Sequence, residues 1–233
     1  MPDQARLLAG IVALIVAAVA LALGFEGDAP EQTAESPRTL AAASSAAPVD
    51  HFILALSWSP AYCAEEASER DARQCKSERS YAFIVHGLWP QDGKGGPRDC
   101  PTDRPRVPDD IVQTMLDLMP SPGLIGHQWR THGACTGLTQ EAYFRLTRRA
   151  AERVRIPDAY RALASTLSVS PEEVERAFIA ANPGLEADML YPTCSDRSLR
   201  EVRICLTADL AFRPCGSERS QCRRDRIAMP PVR

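Results

Sequence analysis

Apolar positions run without a charge from Leu7 to Phe25, 19 residues, behind a short start whose only basic side chain is Arg6. The run has no polar face, which argues against a core helix. A secretory signal has an apolar core of about 7–15 residues, and a spanning helix needs about 20. Residues 1–25 are therefore expected to direct export, and the length fits an uncleaved anchor, a membrane tether through residues 7–25, slightly better than a cleaved signal. From Glu26 to Pro48 the pattern disappears into Ala, Ser, Pro and Glu with almost no large apolar side chain. Residues 26–48 read as a flexible linker. Regular patterning returns at Val49, so residues 49–233 are expected to form the folded domain.

Within that domain His51–Trp58, closed by Ser59-Pro60, is an apolar run that predicts a strand buried on both faces. Tyr81–His86 predicts a second strand, stopped by Gly87 and later by Pro90, with His86 at its end. Asp109–Met119 has apolar residues at helical spacing and ends before Pro120. Thr139–Arg155 predicts a longer helix capped by Thr139. Ser170-Pro171-Glu172-Glu173 is a capping box with proline at the first helical position. Val174, Ala177, Phe178 and Ala181 follow it at i, i+3, i+4 and i+7, and Asn182-Pro183-Gly184 ends the helix. Val202, Ile204 and Leu206 then alternate with Glu201, Arg203 and Cys205, which predicts a half-buried strand, with Leu210–Arg213 as a candidate hairpin partner. Strands, then helices, then strands again indicate an α+β fold with a largely antiparallel central sheet flanked by helices.

Composition narrows the function. A hydrophobic content of 45% supports a packed core, and a net charge of −3 argues against a nucleic-acid binder held mainly by phosphate contacts. The C-terminal end is locally basic, with nine arginines from Arg197 to Arg233. All eight cysteines lie beyond the linker and none forms a Cys-x-x-Cys pair. Zinc sites usually show such pairs, whereas an even count in an exported domain indicates disulfides. Four bridges are expected and no metal.

Two short segments carry the candidate chemistry: Phe83-Ile84-Val85-His86-Gly87-Leu88-Trp89-Pro90 and His127-Gln128-Trp129-Arg130-Thr131-His132-Gly133-Ala134-Cys135. They hold three of the four histidines, and each sets a histidine beside a glycine and near a tryptophan. Histidine exchanges protons near neutrality, and two of them on separate segments meet the needs of general acid–base catalysis. Tryptophan offers a surface on which a nucleobase stacks. His127 and His132 are five apart with no carboxylate between them, which does not match the spacing of a zinc-binding helix. His51 lies outside both segments and is assigned no role.

The first segment resembles the first active-site segment of the ribonuclease T2 family, matching its His-Gly-Leu-Trp-Pro core without a gap. The second is similar to that family's His-Glu-Trp-x-Lys-His-Gly-x-Cys. Trp58-Ser59-Pro60 with Cys63 and the cysteine-rich C-terminal end extend the resemblance from Val49 onward. It implies RNA as substrate, with no cofactor and no metal. His132 matches the general base and His86 the general acid. His127 matches a phosphate-contacting histidine, Gln128 the position of a catalytic glutamate, and Trp89 a base-stacking residue. The resemblance also implies the pairing Cys63–Cys75, Cys100–Cys135, Cys194–Cys222 and Cys205–Cys215. Two departures stand out. Gln128 replaces the glutamate, and its amide can donate to a phosphoryl oxygen. Thr131 replaces the lysine whose charge faces the phosphorane, and Arg130 is a candidate substitute, although on a helix it points about 100° away. Trp129 is expected in the core. The expectation is a monomeric, exported, base-nonspecific endoribonuclease. The alternatives are a weak or inactive RNA-binding protein on the same fold and a disulfide-rich metalloprotein.

Overall fold

The computed structural model describes residues 49–64, 72–93, 95–220 and 222–232. The expected anchor and linker lie outside the described residues, and among these no helix is long and apolar enough to cross a membrane. The centre of the fold is β1 (His51–Trp58), whose apolar run leaves neither face for water: seven of its eight residues are buried. It pairs antiparallel with β2 (Phe83–Gln91) on one side and β5 (Ser198–Thr207) on the other. Helices α1 (Ser59–Ala64) and α2 (Ala72–Cys75) follow β1, and Cys63–Cys75 joins them. Next come α3 (Asp109–Met115), α4 (Pro122–Thr131), a 3-10 turn at Gly133–Thr136, α5 (Gln140–Arg153) and α6 (Asp158–Arg161). The chain closes with β3 (Leu167–Val169), α7 (Pro171–Ala181), β4 (Leu190–Ser195), β5 and β6 (Ile227–Met229). The strand order is β2-β1-β5-β6-β3, with β4 also pairing β5. All pairings are antiparallel except the single parallel bridge of β5 to β6.

Alternation sorts the two faces of the sheet. Phe52, Leu54, Leu56 and Trp58 of β1 join Val202, Ile204 and Leu206 of β5 in the main core. Met115, Ile125, Tyr143, Phe144, Val174 and Phe178 cover them from α3, α4, α5 and α7. The opposite face carries a smaller cluster of Ile53, Tyr191, Cys205 and Cys215, with Trp89 packed against it. Disulfides Cys100–Cys135, Cys194–Cys222 and Cys205–Cys215 complete the covalent frame.

Four expectations change. The second strand does not stop at Gly87 but runs through Pro90 to Gln91, because β2 is an edge strand where proline costs no ladder bond. Its outer rim is occupied instead: Val85 N–H donates to the Leu118 carbonyl and the Tyr143 hydroxyl donates to that of Leu88, each at 2.9 Å. The helix expected over Asp109–Met119 ends at Met115, and the turn that follows presents the Leu118 carbonyl to β2. The last long strand is buried on both faces rather than one, since its second face is covered as well: Cys205 packs there with Ile53, Tyr191, Cys215 and Trp89. Its hairpin partner is β4, while Leu210–Arg213 contributes only the bridge of Phe212 to Leu206.

The capping box holds as expected. Glu173 N–H donates to Ser170 Oγ at 3.2 Å, and Ser170 N–H donates to Glu173 Oε2 at 2.6 Å. Thr139 likewise caps α5 by accepting from Ala142 N–H at 3.2 Å. Replacing a serine cap by alanine costs ~1 kcal/mol. Ser170→Ala should lower the urea midpoint by a corresponding amount with an unchanged denaturant slope, and an unaltered midpoint would show that this cap contributes nothing to stability.

Candidate active site

Pairing between β1 and β2 shifts at one point: Ala55 faces Gly87, and Leu56 faces Val85. His86 is the extra residue of a β-bulge, a device that re-aims side chains. In a regular strand residues three apart point to opposite faces, which would separate His86 from Trp89. With one residue inserted, both lie on the face away from the helices, and their rings meet edge to face at 5.4 Å. Beside the bulge, the residues of β1 on that face are the small Ala55 and Ser57. These small side chains let His86 reach over β1, a span of about 10 Å between the outer backbones. Its Nδ1 meets Oε1 of Glu201 at 2.5 Å.

Glu201 is 1% exposed, and its other oxygen accepts from Arg203 Nε at 2.8 Å. Burial pushes its carboxyl up, but the hydrogen bond and charge of His86, with those of Arg203, outweigh burial and bring it down to about 2. An ionised carboxylate only accepts. His86 therefore carries a proton on Nδ1. The Arg203 guanidinium lies over the Trp89 ring at 4.7 Å and over Tyr191 at 6.0 Å.

The other histidines come from α4, which Ser121 caps by accepting from Leu124 N–H and Pro122 opens. Gln128 is 1% exposed, and its Oε1 accepts from the Trp89 indole N–H at 2.9 Å. His132 caps the helix, its N–H bonded to the Gln128 carbonyl at 3.0 Å. Its ring stacks on Trp89 at 5.3 Å and 28°. Both histidine-glycine pairs are points of close approach. A Cβ on Gly87 would lie 2.0 Å from Gln128 Oε1, and one on Gly133 would lie 2.5 Å from the Trp129 ring. Only glycine lets α4 close on β2 and α5 close on α4.

His132 is 7% exposed, and its Nδ1 has no hydrogen-bond partner among the described residues. Burial, then the charges of Arg98, His86 and His127, push its pKa down to about 3, so its imidazole is neutral at pH 7. His127 is exposed, with Nδ1 3.4 Å from Thr131 Oγ1. Partial burial and the charges of His86, Arg130 and Arg98 lower its pKa as well.

The fold thus gathers His86, His127, His132 and Gln128 on one side of the sheet. At Trp89, Arg203 and His132 lie against the ring and Gln128 accepts from its N–H, so the indole contacts both histidines of the site. Arg130 does not fill the gap at Thr131. Its guanidinium lies back against Gly126, at 3.1 Å from a Cβ built there, and lines a groove with Val107, Val112 and Pro122. Arg98 is the cation that acts most on His132. Its neighbours Asp99 and Cys100 are tied to the end of α4, by Asp99 N–H on the Thr131 carbonyl at 2.8 Å and by Cys100–Cys135. Trp129 is core, as expected, with its N–H on the Arg104 carbonyl at 2.7 Å. His51 sits on β1 with Nδ1 3.1 Å from Asp50. A cavity of about 310 Å³ opens beside His86, lined by Tyr62, Ile84, Leu124, Arg200 and Glu201 among others. Among the described residues no three His, Cys, Asp or Glu side chains are grouped to hold a metal ion. Sequence reasoning missed Glu201, Arg203 and Arg98. For the first two a signal existed: a carboxylate and a guanidinium two residues apart share one face of a strand.

The ribonuclease T2 family model matches residues 49–215. A ribonuclease of Aeromonas hydrophila is 41% identical over 97 residues, 42% of this chain and 42% of its own. A probable ribonuclease of Haemophilus influenzae is 31% identical over 124 residues, 48% of this chain and 46% of its own. The chain therefore spans under half the length of these two relatives. Ribonuclease I of Escherichia coli is 23% identical over 211 residues, 72% of this chain and 79% of its own. Among solved structures, an RNase-related protein from Calystegia sepium superposes with a TM-score of 0.60 at 20% identity, covering 78% of this chain and 98% of its own. RNase NT in complex with 5′-AMP gives 0.56 at 20% identity, with coverage of 78% and 98%. These two share the fold.

The depressed His132 has a consequence for stability. Its pKa is about 3 in the folded chain against an ordinary 6.5, so the unfolded chain takes up the proton first. Stability present above 6.5 is lost as pH falls toward 3. Glu201, lowered from 4.5 to about 2, adds a second loss that begins only below 4.5. Urea unfolding between about pH 7 and pH 5 therefore reads the two lowered histidines, His132 and His127, before Glu201 contributes. His132→Gln should lose clearly less stability across that interval than the native chain, and equal slopes would contradict the depressed pKa.

Proposed function

Because the chain belongs to the ribonuclease T2 family, we propose that it is an exported, base-nonspecific endoribonuclease that cleaves single-stranded RNA by metal-free transesterification. One observation carries the reading: two histidines from separate elements lean on the same indole in opposite surroundings. His132, buried among cations, is neutral and suited to take a proton. His86, hydrogen-bonded to an ionised carboxylate, is suited to carry one. Environments that differ in this way are how one site divides acid from base.

In this mechanism His132 removes the ribose 2′-OH proton, and the 2′-oxygen attacks the adjacent phosphorus. The bond from phosphorus to the 5′-oxygen breaks as His86 protonates that oxygen, leaving a 2′,3′-cyclic phosphate. Water then opens the ring to a 3′-phosphate with the two roles exchanged. His127 and the Gln128 amide face the phosphoryl oxygens, with the amide's orientation set by its bond to Trp89. The cavity beside His86 takes a base. The 2′-OH requirement restricts the substrate to RNA. Four disulfides suit an oxidising compartment, the periplasm or the exterior, with residues 7–25 as the export signal or tether. The protein acts as a monomer.

A second reading, a weak or inactive RNA-binding protein on the same fold, is favoured by Thr131 alone. It is a buried neutral side chain where the family motif has lysine. Digestion of a homopolymer RNA separates the two readings. The native chain should yield cyclic phosphate ends and be indifferent to EDTA, whereas His86→Ala and His132→Ala should each lose on the order of 10²–10⁴ in rate while staying folded. Near-native rates in either variant would refute the assignment.

Thr131→Lys tests the missing charge. If the phosphorane lacks a cation, kcat on a dinucleotide should rise by roughly ten- to a thousand-fold with little change in KM. If Arg98 already supplies it, Thr131→Lys gains little and Arg98→Ala loses by a comparable factor. A change of less than about threefold in both variants would mean that no cation at this position matters.

A further inference from the structure

Glu201 lies on neither histidine segment, 115 residues beyond His86. Among the described residues it is the one buried carboxylate that touches the site. Burying an ionised carboxylate is costly unless partners satisfy both oxygens. Arg203 beside it offers a two-pronged guanidinium able to engage both. Instead the load is divided: Oε2 goes to Arg203 at 2.8 Å and Oε1 to His86 Nδ1 at 2.5 Å. An arrangement needed only for folding would not have to spend one oxygen on a histidine that is partly open to solvent.

We infer that Glu201 is a positioning residue for the acid step, holding the His86 ring so that Nε2–H points at the departing 5′-oxygen. The inference rests on the reading of His86 as general acid. A free imidazole carries its proton on either nitrogen and turns about its own axis. The carboxylate removes both freedoms, because only Nδ1–H satisfies Oε1 and a turned ring would set carbon against it. Neither partner could have been placed without the bulge, which sends His86 to the face of β5 that carries Glu201 and Arg203.

Two substrates separate positioning of the acid from general support of the fold. The 5′-oxygen of a dinucleotide needs a proton to leave, whereas the 4-nitrophenolate of uridine 3′-(4-nitrophenyl phosphate) does not. Glu201→Gln should lower kcat on the dinucleotide by roughly 10- to 100-fold with KM within about threefold, and leave the activated ester within about threefold. In a His86→Ala background the same change should cost nothing further on the dinucleotide, since Glu201 acts through His86. Should Glu201→Gln fail to fold, Glu201→Asp keeps the charge but draws it back by one methylene, and the same split between substrates is expected. Equal losses on both substrates, or no loss on either, would overturn the inference. If His86→Ala discriminates between the substrates and the Glu201 variants do not, only this inference fails. A native chain inactive on both would bring down the ribonuclease reading and this inference with it.

Discussion

One inserted residue on an edge strand controls the geometry of this site. Without the bulge at His86, the alternation of β2 would send His86 and Trp89 to opposite faces, and the imidazole could not reach Glu201 over Ala55 and Ser57. The bulge also explains why β2 tolerates both Gly87 and Pro90. An edge strand has no outer ladder to lose, and its outward groups are engaged by Leu118 and Tyr143 instead. An edge that would otherwise invite pairing is thereby closed by the protein itself.

Packing around the bulge is equally constrained. Trp89 is in contact with His86, His132, Arg203 and Gln128, so the indole sets the spacing of both histidines. The approach of α4 to β2 depends on Gly87, and that of α5 to α4 on Gly133. Glycine after each histidine is thus a packing requirement of neighbouring elements. The Cys100–Cys135 bridge and the Asp99 bond to Thr131 then hold the loop carrying Arg98 at the end of α4.

Electrostatics divides the two histidines where sequence context makes them alike. Each stands before glycine and near tryptophan. One meets a buried carboxylate, and the other is desolvated among Arg98, His127 and His86. A threonine in place of the motif lysine shifts attention to which cation remains nearby. Arg130, next to it in sequence, turns back along the helix toward Gly126, while Arg98 comes from a separate loop.

Much of this was legible in the chain itself. Local patterns determined β1, α5 and the capped α7, because an unbroken apolar run, a threonine cap and a serine–glutamate box act within a few residues. The two histidine motifs identified the family, and the family implied the cysteine pairing. Tertiary structure alone decided the rest. That β2 continues through Gly87 and Pro90 follows from its place at the sheet edge, which no local propensity encodes. That Glu201 is buried and Arg203 half-buried follows from what covers the second face of β5, the cluster of Tyr191, Cys215 and Trp89, where an alternating pattern that reads as one wet face is closed on both. And the partner of His86 stands 115 residues away. Strand register brings them together, a long-range property that neither segment carries by itself.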